Sequence, residues 1–126
     1  MKEKIAMVSL GCPKNQVDAE VMLKSLADAG YIIGAEEAEA DIIIINTCGF
    51  IESAKAEAIE NILEASAYKT DGNCKALIVT GCLAQRYQDE IKKEIPEVDA
   101  ILGTNSYEDI VNAVHQALDG KFYQNF

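Results

Sequence analysis

Short runs of apolar residues alternate along this chain with segments whose apolar positions recur every three or four residues. The short runs predict strands, because buried parallel strands are rich in β-branched residues, and the longer periodic segments predict helices. The predicted strands cover residues 5–10, 31–33, 41–46, 76–80 and 100–102. The predicted helices cover about 16–29, 52–68, 83–95 and 106–119.

Strands that alternate with helices indicate an α/β fold, because each helix carries the chain back to begin another parallel strand. We therefore expect a three-layer α/β/α domain with a five-stranded parallel sheet. The expected strand order is 2-1-3-4-5, as in flavodoxin-like proteins. One domain would span residues 1–120, and residues 121–126 would begin a linker.

Composition and charge argue against two classes of binding partner, nucleic acids and membranes. The chain has 126 residues, of which 49% are hydrophobic, and 21 acidic against 11 basic residues give a net charge of −10. An acidic surface repels the phosphates of nucleic acids, so we expect no nucleic acid to bind this domain alone. The longest strictly aliphatic run is residues 42–45, far short of a membrane span. We expect a cytoplasmic monomer without a membrane partner.

Three of the four cysteines follow predicted strands and have a glycine neighbour. Cysteines in a cytosolic chain favour metal binding or catalysis over structural disulfides. The strands before these cysteines are the first, third and fourth, which are neighbours in the expected order, so one shared site is possible. Three separate buried cysteines remain the alternative, because free cysteine is often buried. The three residues are Cys12, Cys48 and Cys82.

The kind of metal follows from the number of thiolates. Structural zinc sites use four protein ligands, often in close Cys-x-x-Cys pairs, and such a pair is absent from the sequence. Three thiolates instead leave one iron of a four-iron cluster without a protein ligand. Cys74 precedes the fourth strand, at the opposite end of the sheet, and is expected to be a bystander. His115 lies within the last helix and is expected to be a packing or surface residue.

Two further classes of function need no cluster. A flavodoxin-like binding module could hold a small anion or a partner protein at the strand ends. Against flavin binding, Cys12, Pro13 and Lys14 stand where a Ser/Thr/Gly-rich phosphate loop would follow the first strand. A thiol redox protein would instead join two of the three cysteines in a disulfide.

Three longer motifs then become recognisable. Residues 9–20 (SLGCPKNQVDAE), 45–55 (INTCGFIESAK) and 79–87 (VTGCLAQRY) resemble, in order and spacing, the N-terminal domain of methylthiotransferases. The residues CPKN after Gly11 and GFI after Cys48 are similar to the branch that modifies an aspartate of a small-subunit ribosomal protein. The tRNA-modifying branch of the same family is the alternative.

The resemblance implies an auxiliary [4Fe-4S] cluster on Cys12, Cys48 and Cys82, with one open iron that holds the sulfur to be transferred. It also implies a pocket formed by Gly11, Asn15, Asp18, Asn46, Thr47, Gly49 and Gly81. The family's central domain carries a second [4Fe-4S] cluster that cleaves S-adenosylmethionine, and its Cys-x-x-x-Cys-x-x-Cys motif is absent here. We therefore expect a fragment of a radical S-adenosylmethionine methylthiotransferase that is inactive in isolation and whose substrate is a ribosomal protein.

Overall fold

The computed structural model describes residues 3–9, 13–36, 39–47, 52–71, 74–81, 87–103 and 109–125. In these residues the strands are β1 (Lys4–Ser9), β2 (Ile32–Ile33), β3 (Ile42–Thr47), β4 (Ala76–Gly81), β5 (Ala100–Leu102) and β6 (Tyr123–Asn125). The helices are α1 (Pro13–Asp28), α2 (Glu52–Asp71), α3 (Gln88–Glu94) and α4 (Ile110–Leu118).

The strands form one parallel sheet in the order β2-β1-β3-β4-β5-β6. The predicted α/β class is confirmed, and so is the order 2-1-3-4-5 for the first five strands. The reversal of strand order lies at β1, from which the chain winds first to β2 and then to β3. The central strands β3 and β4 are buried along their whole length, which explains their near-continuous runs of apolar residues.

Alternate side chains of the strands lie on opposite faces of the sheet and belong to two separate cores. Each core is covered by helices, which gives the predicted three-layer arrangement. On one face, Ile43 and Leu77 pack with Ile62 of α2 and Ile91 of α3. On the other face, the β4 residue Ile78 belongs to the core covered by α1 and α4. Helices on both faces bury the sheet and leave its two ends as the places where loops meet.

The expected strand count of five is wrong, because the described residues form six strands. The sixth strand, β6, lies within residues 121–126, which we expected to begin a linker. β6 pairs with β5, and the amide of Tyr123 donates to the carbonyl of Asp99 at 3.0 Å. The Tyr123 hydroxyl also donates to the Asp109 carboxylate, next to α4. Backbone pairing and this anchor therefore order a segment that has no alternating apolar pattern.

No helix in the described ranges is both long enough and apolar enough to cross a membrane.

Candidate functional site

The carboxyl ends of β1, β3 and β4 lie side by side at one edge of the sheet, called here the carboxyl edge. Ser9 is the pairing partner of Asn46, and Asn46 is the partner of Thr80. The last pair joins Thr47 to Gly81. Since neighbouring strands are about 4.8 Å apart, the chain leaves three adjacent strands at nearly the same level.

The three candidate ligands come directly after these strand ends in sequence. Cys48 follows Thr47, Cys82 follows Gly81, and Cys12 is the third residue after the end of β1. All three cysteines lie outside the described residues, as do Gly11 and Gly49. Their convergence on one site therefore stays a prediction, which the alignment of the preceding strands supports.

Buried polar side chains lie at this edge. Asn46, Thr47 and Thr80 are each 0% exposed, and they are the only buried polar side chains among the residues whose burial is described. The Thr47 hydroxyl donates to the carbonyl of Thr80 at 2.7 Å. The Thr80 hydroxyl donates to Oδ1 of Asn46 at 3.0 Å. Hydrogen bonds of this kind compensate the hydroxyls for the loss of water.

Gly81 brings the backbones of β3 and β4 into close approach. Its φ is +105°, a conformation that other residues rarely adopt. A Cβ atom at this position would lie 2.0 Å from the carbonyl oxygen of Thr47. Only glycine fits here without displacing one of the two strands, so the residue before Cys82 is set by the sheet itself.

Two helices begin at the carboxyl edge. α1 begins at Pro13, directly after Cys12, and α2 begins at Glu52, four residues after Cys48. Helix N-termini carry partial positive charge, which stabilises thiolates and other anions. Proline suits the first position of a helix, because its fixed φ is helical and no amide is needed there.

The predicted pocket residues Asn15 and Asp18 belong to the beginning of α1. Their side chains lie outside the described part of the structure. Their helix thus begins at the carboxyl edge, and their participation in a pocket stays a prediction.

Cys74 lies at the opposite, amino edge of the sheet, as expected from its position before β4. The residue is only 5% exposed, and its thiol donates to the carbonyl of Ala76 at 3.1 Å. Burial raises the pKa of the Cys74 thiol above its ordinary value. A six-residue strand such as β4 is roughly 17 Å long. Cys74 is therefore too far from the carboxyl edge to be a ligand of a metal group bound there.

His115 is an exposed residue of α4. Its ring centre lies 6.0 Å from that of Tyr31, in a tilted arrangement. This is a packing contact of the kind expected from the sequence. In the described ranges, no three His, Cys, Asp or Glu residues are grouped closely enough to hold a metal ion.

Thr80 was not predicted as a site residue from the sequence. Asn46 and Thr47 were named as pocket residues because they precede Cys48 in a motif, whereas a single threonine in a strand is an ordinary β-former. The signal that was available is the pattern ALIVTG of β4, in which Thr80 is the one polar side chain and comes just before Gly81. A polar residue at the end of a fully buried strand needs a partner, and here the partner is Asn46.

Comparison with known proteins adds a family and a set of relatives. Residues 4–103 match the uncharacterized protein family UPF0004. The match runs from β1 through β5 and therefore contains all three strands whose ends meet at the carboxyl edge.

Close relatives carry the name ribosomal protein uS12 methylthiotransferase RimO. The chain is 55% identical to that of Trichlorobacter lovleyi over 95% of its own length and 27% of the relative's. It is 58% identical to that of Desulforamulus reducens, over 93% of the chain and 26% of the relative. It is 60% identical to that of Clostridioides difficile, over 85% of the chain and 24% of the relative. The resemblance to methylthiotransferases is confirmed, and the chain spans about a quarter of the length of these relatives.

Proposed function

The chain belongs to the uncharacterized protein family UPF0004, and from that premise we propose that it is the cluster-binding N-terminal domain of a ribosomal protein methylthiotransferase. In this proposal Cys12, Cys48 and Cys82 bind one [4Fe-4S] cluster. One iron has no protein ligand.

The observation that carries the proposal is the alignment of three strand ends. β1, β3 and β4 are neighbours, and the pairs Ser9 with Asn46 and Thr47 with Gly81 bring their ends to one level. Thus cysteines that are 36 and 34 residues apart in sequence follow strands that are adjacent in space. Because neighbouring strands are about 4.8 Å apart, cysteines that follow three adjacent strand ends are within reach of one bound group, which supports the proposal.

The residues of the carboxyl edge fit an anionic iron-sulfur group. Thiolates are the usual ligands of such clusters, and three of them leave one iron available for another ligand. The N-terminal ends of α1 and α2 contribute partial positive charge at the same edge. Gly81 removes a side chain where the backbones are closest. When bound, the cluster supplies the chemistry of sulfur transfer, while this chain holds and orients it.

The proposed substrate is ribosomal protein uS12, because the relatives carry that name. The modified residue would be an aspartate of this protein, as the motifs CPKN and GFI imply. The names of these relatives favour the ribosomal protein over the alternative, a tRNA substrate. A ribosomal substrate also implies a cytoplasmic location, and the domain is proposed to act as a monomer without binding nucleic acid itself.

The second cluster and S-adenosylmethionine are assigned to the remainder of the polypeptide, because the chain corresponds to about a quarter of its relatives. The sequence of the chain contains no Cys-x-x-x-Cys-x-x-Cys motif. The proposed domain would therefore bind its cluster but show no methylthiotransferase activity alone.

The experiment is anaerobic reconstitution of the chain with iron and sulfide. We expect a brown protein with about four iron and four sulfide ions per chain. Substituting any one of Cys12, Cys48 and Cys82 with alanine should abolish stoichiometric cluster binding, measured by iron analysis and by the visible absorption band.

Cys74→Ala is the matched control. It removes a cysteine from the same chain, but from the amino edge, and should leave the iron content unchanged. A parent protein that stays colourless under strictly anaerobic conditions would contradict the proposal. An equal loss of iron in Cys74→Ala would also contradict the assignment of the three ligands.

A further inference from the structure

The three buried polar side chains at the carboxyl edge form one network between β3 and β4. Asn46 and Thr47 end β3, and Thr80 is the next-to-last residue of β4. Among the residues whose burial is described, buried polar side chains occur only here. Such a concentration at one point of a sheet calls for an explanation beyond strand propensity.

Each contact of the network crosses from one strand to the other. Thr47 Oγ1 donates to the Thr80 carbonyl at 2.7 Å, and Thr80 Oγ1 donates to Asn46 Oδ1 at 3.0 Å. Next to them, the backbone of Gly81 lies against the Thr47 carbonyl. Two side-chain hydrogen bonds and one close backbone approach therefore connect the last residues of β3 and β4, which directly precede Cys48 and Cys82 in sequence.

Stability alone does not require these hydroxyl groups. Valine has nearly the shape of threonine and would fill the same buried positions without a polar group to satisfy. A fully satisfied buried network instead restricts the groups that it joins to one arrangement. The arrangement fixed here is the relative position of two strand ends.

We propose that Thr80 is a positioning residue which, with Asn46 and Thr47, holds the ends of β3 and β4 so that Cys48 and Cys82 form a preorganised thiol pair. The role of this thiol pair in binding a cluster depends on the function proposed above. The preorganisation itself can be tested without iron. Thr47 pairs with Gly81, and in sequence Cys48 and Cys82 directly follow these two residues.

The metal-free test uses phenylarsine oxide, whose arsenic binds two neighbouring thiols and releases one water. The parent carries Cys12→Ser, so that Cys48 and Cys82 are the pair at this edge, and peptide mapping identifies the modified residues. Preorganised groups bind more tightly because less freedom is lost on binding. Thr80→Val should weaken the affinity about fivefold, the effect of one neutral hydrogen bond.

Three further variants make the result specific. Thr80→Ser keeps the hydroxyl and should restore the parent affinity. Ile78→Val lies on the same strand and the same face, disturbs the core without touching the network, and should also bind as the parent does. Thr47→Val removes the other side-chain hydrogen bond and should weaken binding like Thr80→Val, so it carries the test if Thr80→Val does not fold.

Equal affinities in Thr80→Val and the parent, or an equal loss in Ile78→Val, would overturn the inference. A parent that does not hold phenylarsine oxide across Cys48 and Cys82 would overturn it as well.

A second measurement relates the network to the cluster. In the reconstituted chain with all cysteines present, Thr80→Val should release iron to a chelator about fivefold faster, and Thr80→Ser should not. The two proposals can fail separately. A chain that binds no iron but shows the expected arsenical affinities refutes the function and keeps the inference. The opposite outcome is a chain that binds its cluster equally well with valine or threonine at position 80 and shows equal arsenical affinities. That result keeps the proposed function and refutes the inference about Thr80.

Discussion

The amino edge and the carboxyl edge of the sheet are held by different kinds of hydrogen bond. At the amino edge the ties are charged. The Asp99 carboxylate accepts hydrogen bonds from the amide of Leu77 at 3.0 Å and from Nζ of Lys69 at 2.5 Å. The Asp41 carboxylate accepts one from the amide of Lys4 at 3.0 Å. At the carboxyl edge the ties between β3 and β4 are neutral hydroxyl and amide groups that are fully buried.

This difference distinguishes the amino edge from the edge at which we propose the functional site. Lys69 and Asp99 keep 19% and 20% of their side chains exposed, so water lowers the cost of placing charge there. A carboxylate within the ends of β3 and β4 would oppose the negative charge of the thiolates that follow in sequence and of the group that they are proposed to bind. The strand ends 45–47 and 79–81 contain no charged residue. Neutral ties therefore hold the carboxyl edge without opposing an anion.

The largest effect is expected from Gly81→Ala, which would break the carboxyl edge. The new Cβ would lie 2.0 Å from the Thr47 carbonyl oxygen, and φ is +105°, so one strand has to move. We expect the free energy of unfolding to fall by about 3 kcal/mol, measured by urea denaturation.

Gly34→Ala is the control for Gly81→Ala. Gly34 also has a positive φ, +85°, but nothing lies within 4 Å of the position that its Cβ atom would take. The substitution should cost about 1 kcal/mol, the effect of the backbone conformation alone. Equal losses in the two variants would mean that the close approach of β3 and β4 contributes nothing.

Asp99→Ala tests the amino edge and should have an intermediate effect. It removes the carboxylate that accepts from the Leu77 amide and from the Lys69 ammonium, which keeps only its hydrogen bond to the Glu97 carbonyl, and this should cost about 2 kcal/mol in urea denaturation. Iron content after reconstitution should not change, because the substitution lies at the opposite end of the sheet from the strand ends that precede the three candidate ligands.

Asp41→Ala is the control for Asp99→Ala. It removes an exposed hydrogen bond and should cost less than about 1 kcal/mol. A loss of iron in Asp99→Ala would contradict the separation of the two edges.

The smallest effect is a dependence of stability on alkaline pH, caused by Cys74. Burial raises the pKa of this thiol, so the unfolded chain gives up the proton first. The stabilising contribution is complete below the ordinary pKa of about 8.5 and is lost as the pH rises toward the higher value of the folded state. Cys74→Ala should flatten this decline in the urea midpoint above about pH 8. An unchanged slope would show that the buried thiol is not its source.

Much of the fold could be predicted from the sequence, because the core strands are unusually simple. The run Ile42–Thr47 and the run Ala76–Gly81 are buried on both faces, and burial on both faces leaves a continuous apolar signal. β6 could not be predicted, since Tyr123–Asn125 is a short polar edge strand held by backbone pairing and by a tyrosine anchor. Such tertiary contacts leave no local pattern.

The candidate site divides in a similar way. The order of the strands and the positions of the cysteines were available from the sequence and made one shared site possible, and the resemblance to methylthiotransferases then implied it. The network around Thr80 was not available, because it depends on the register between β3 and β4. A hydrogen bond between residues 34 positions apart becomes visible only when the strands are aligned.

That register also determines where the chain tolerates a change of length. Adding one residue inside β4 would move everything after it by about 3.3 Å and turn the following side chains to the opposite face. Gly81 would then no longer pair with Thr47, and the two strand ends that precede Cys48 and Cys82 would no longer be level. Insertions between β2 and β3, by contrast, lengthen a connection that precedes the strands and leave their pairing unchanged. The lengths of β3 and β4, as much as their composition, are therefore expected to set the spacing of the proposed ligands.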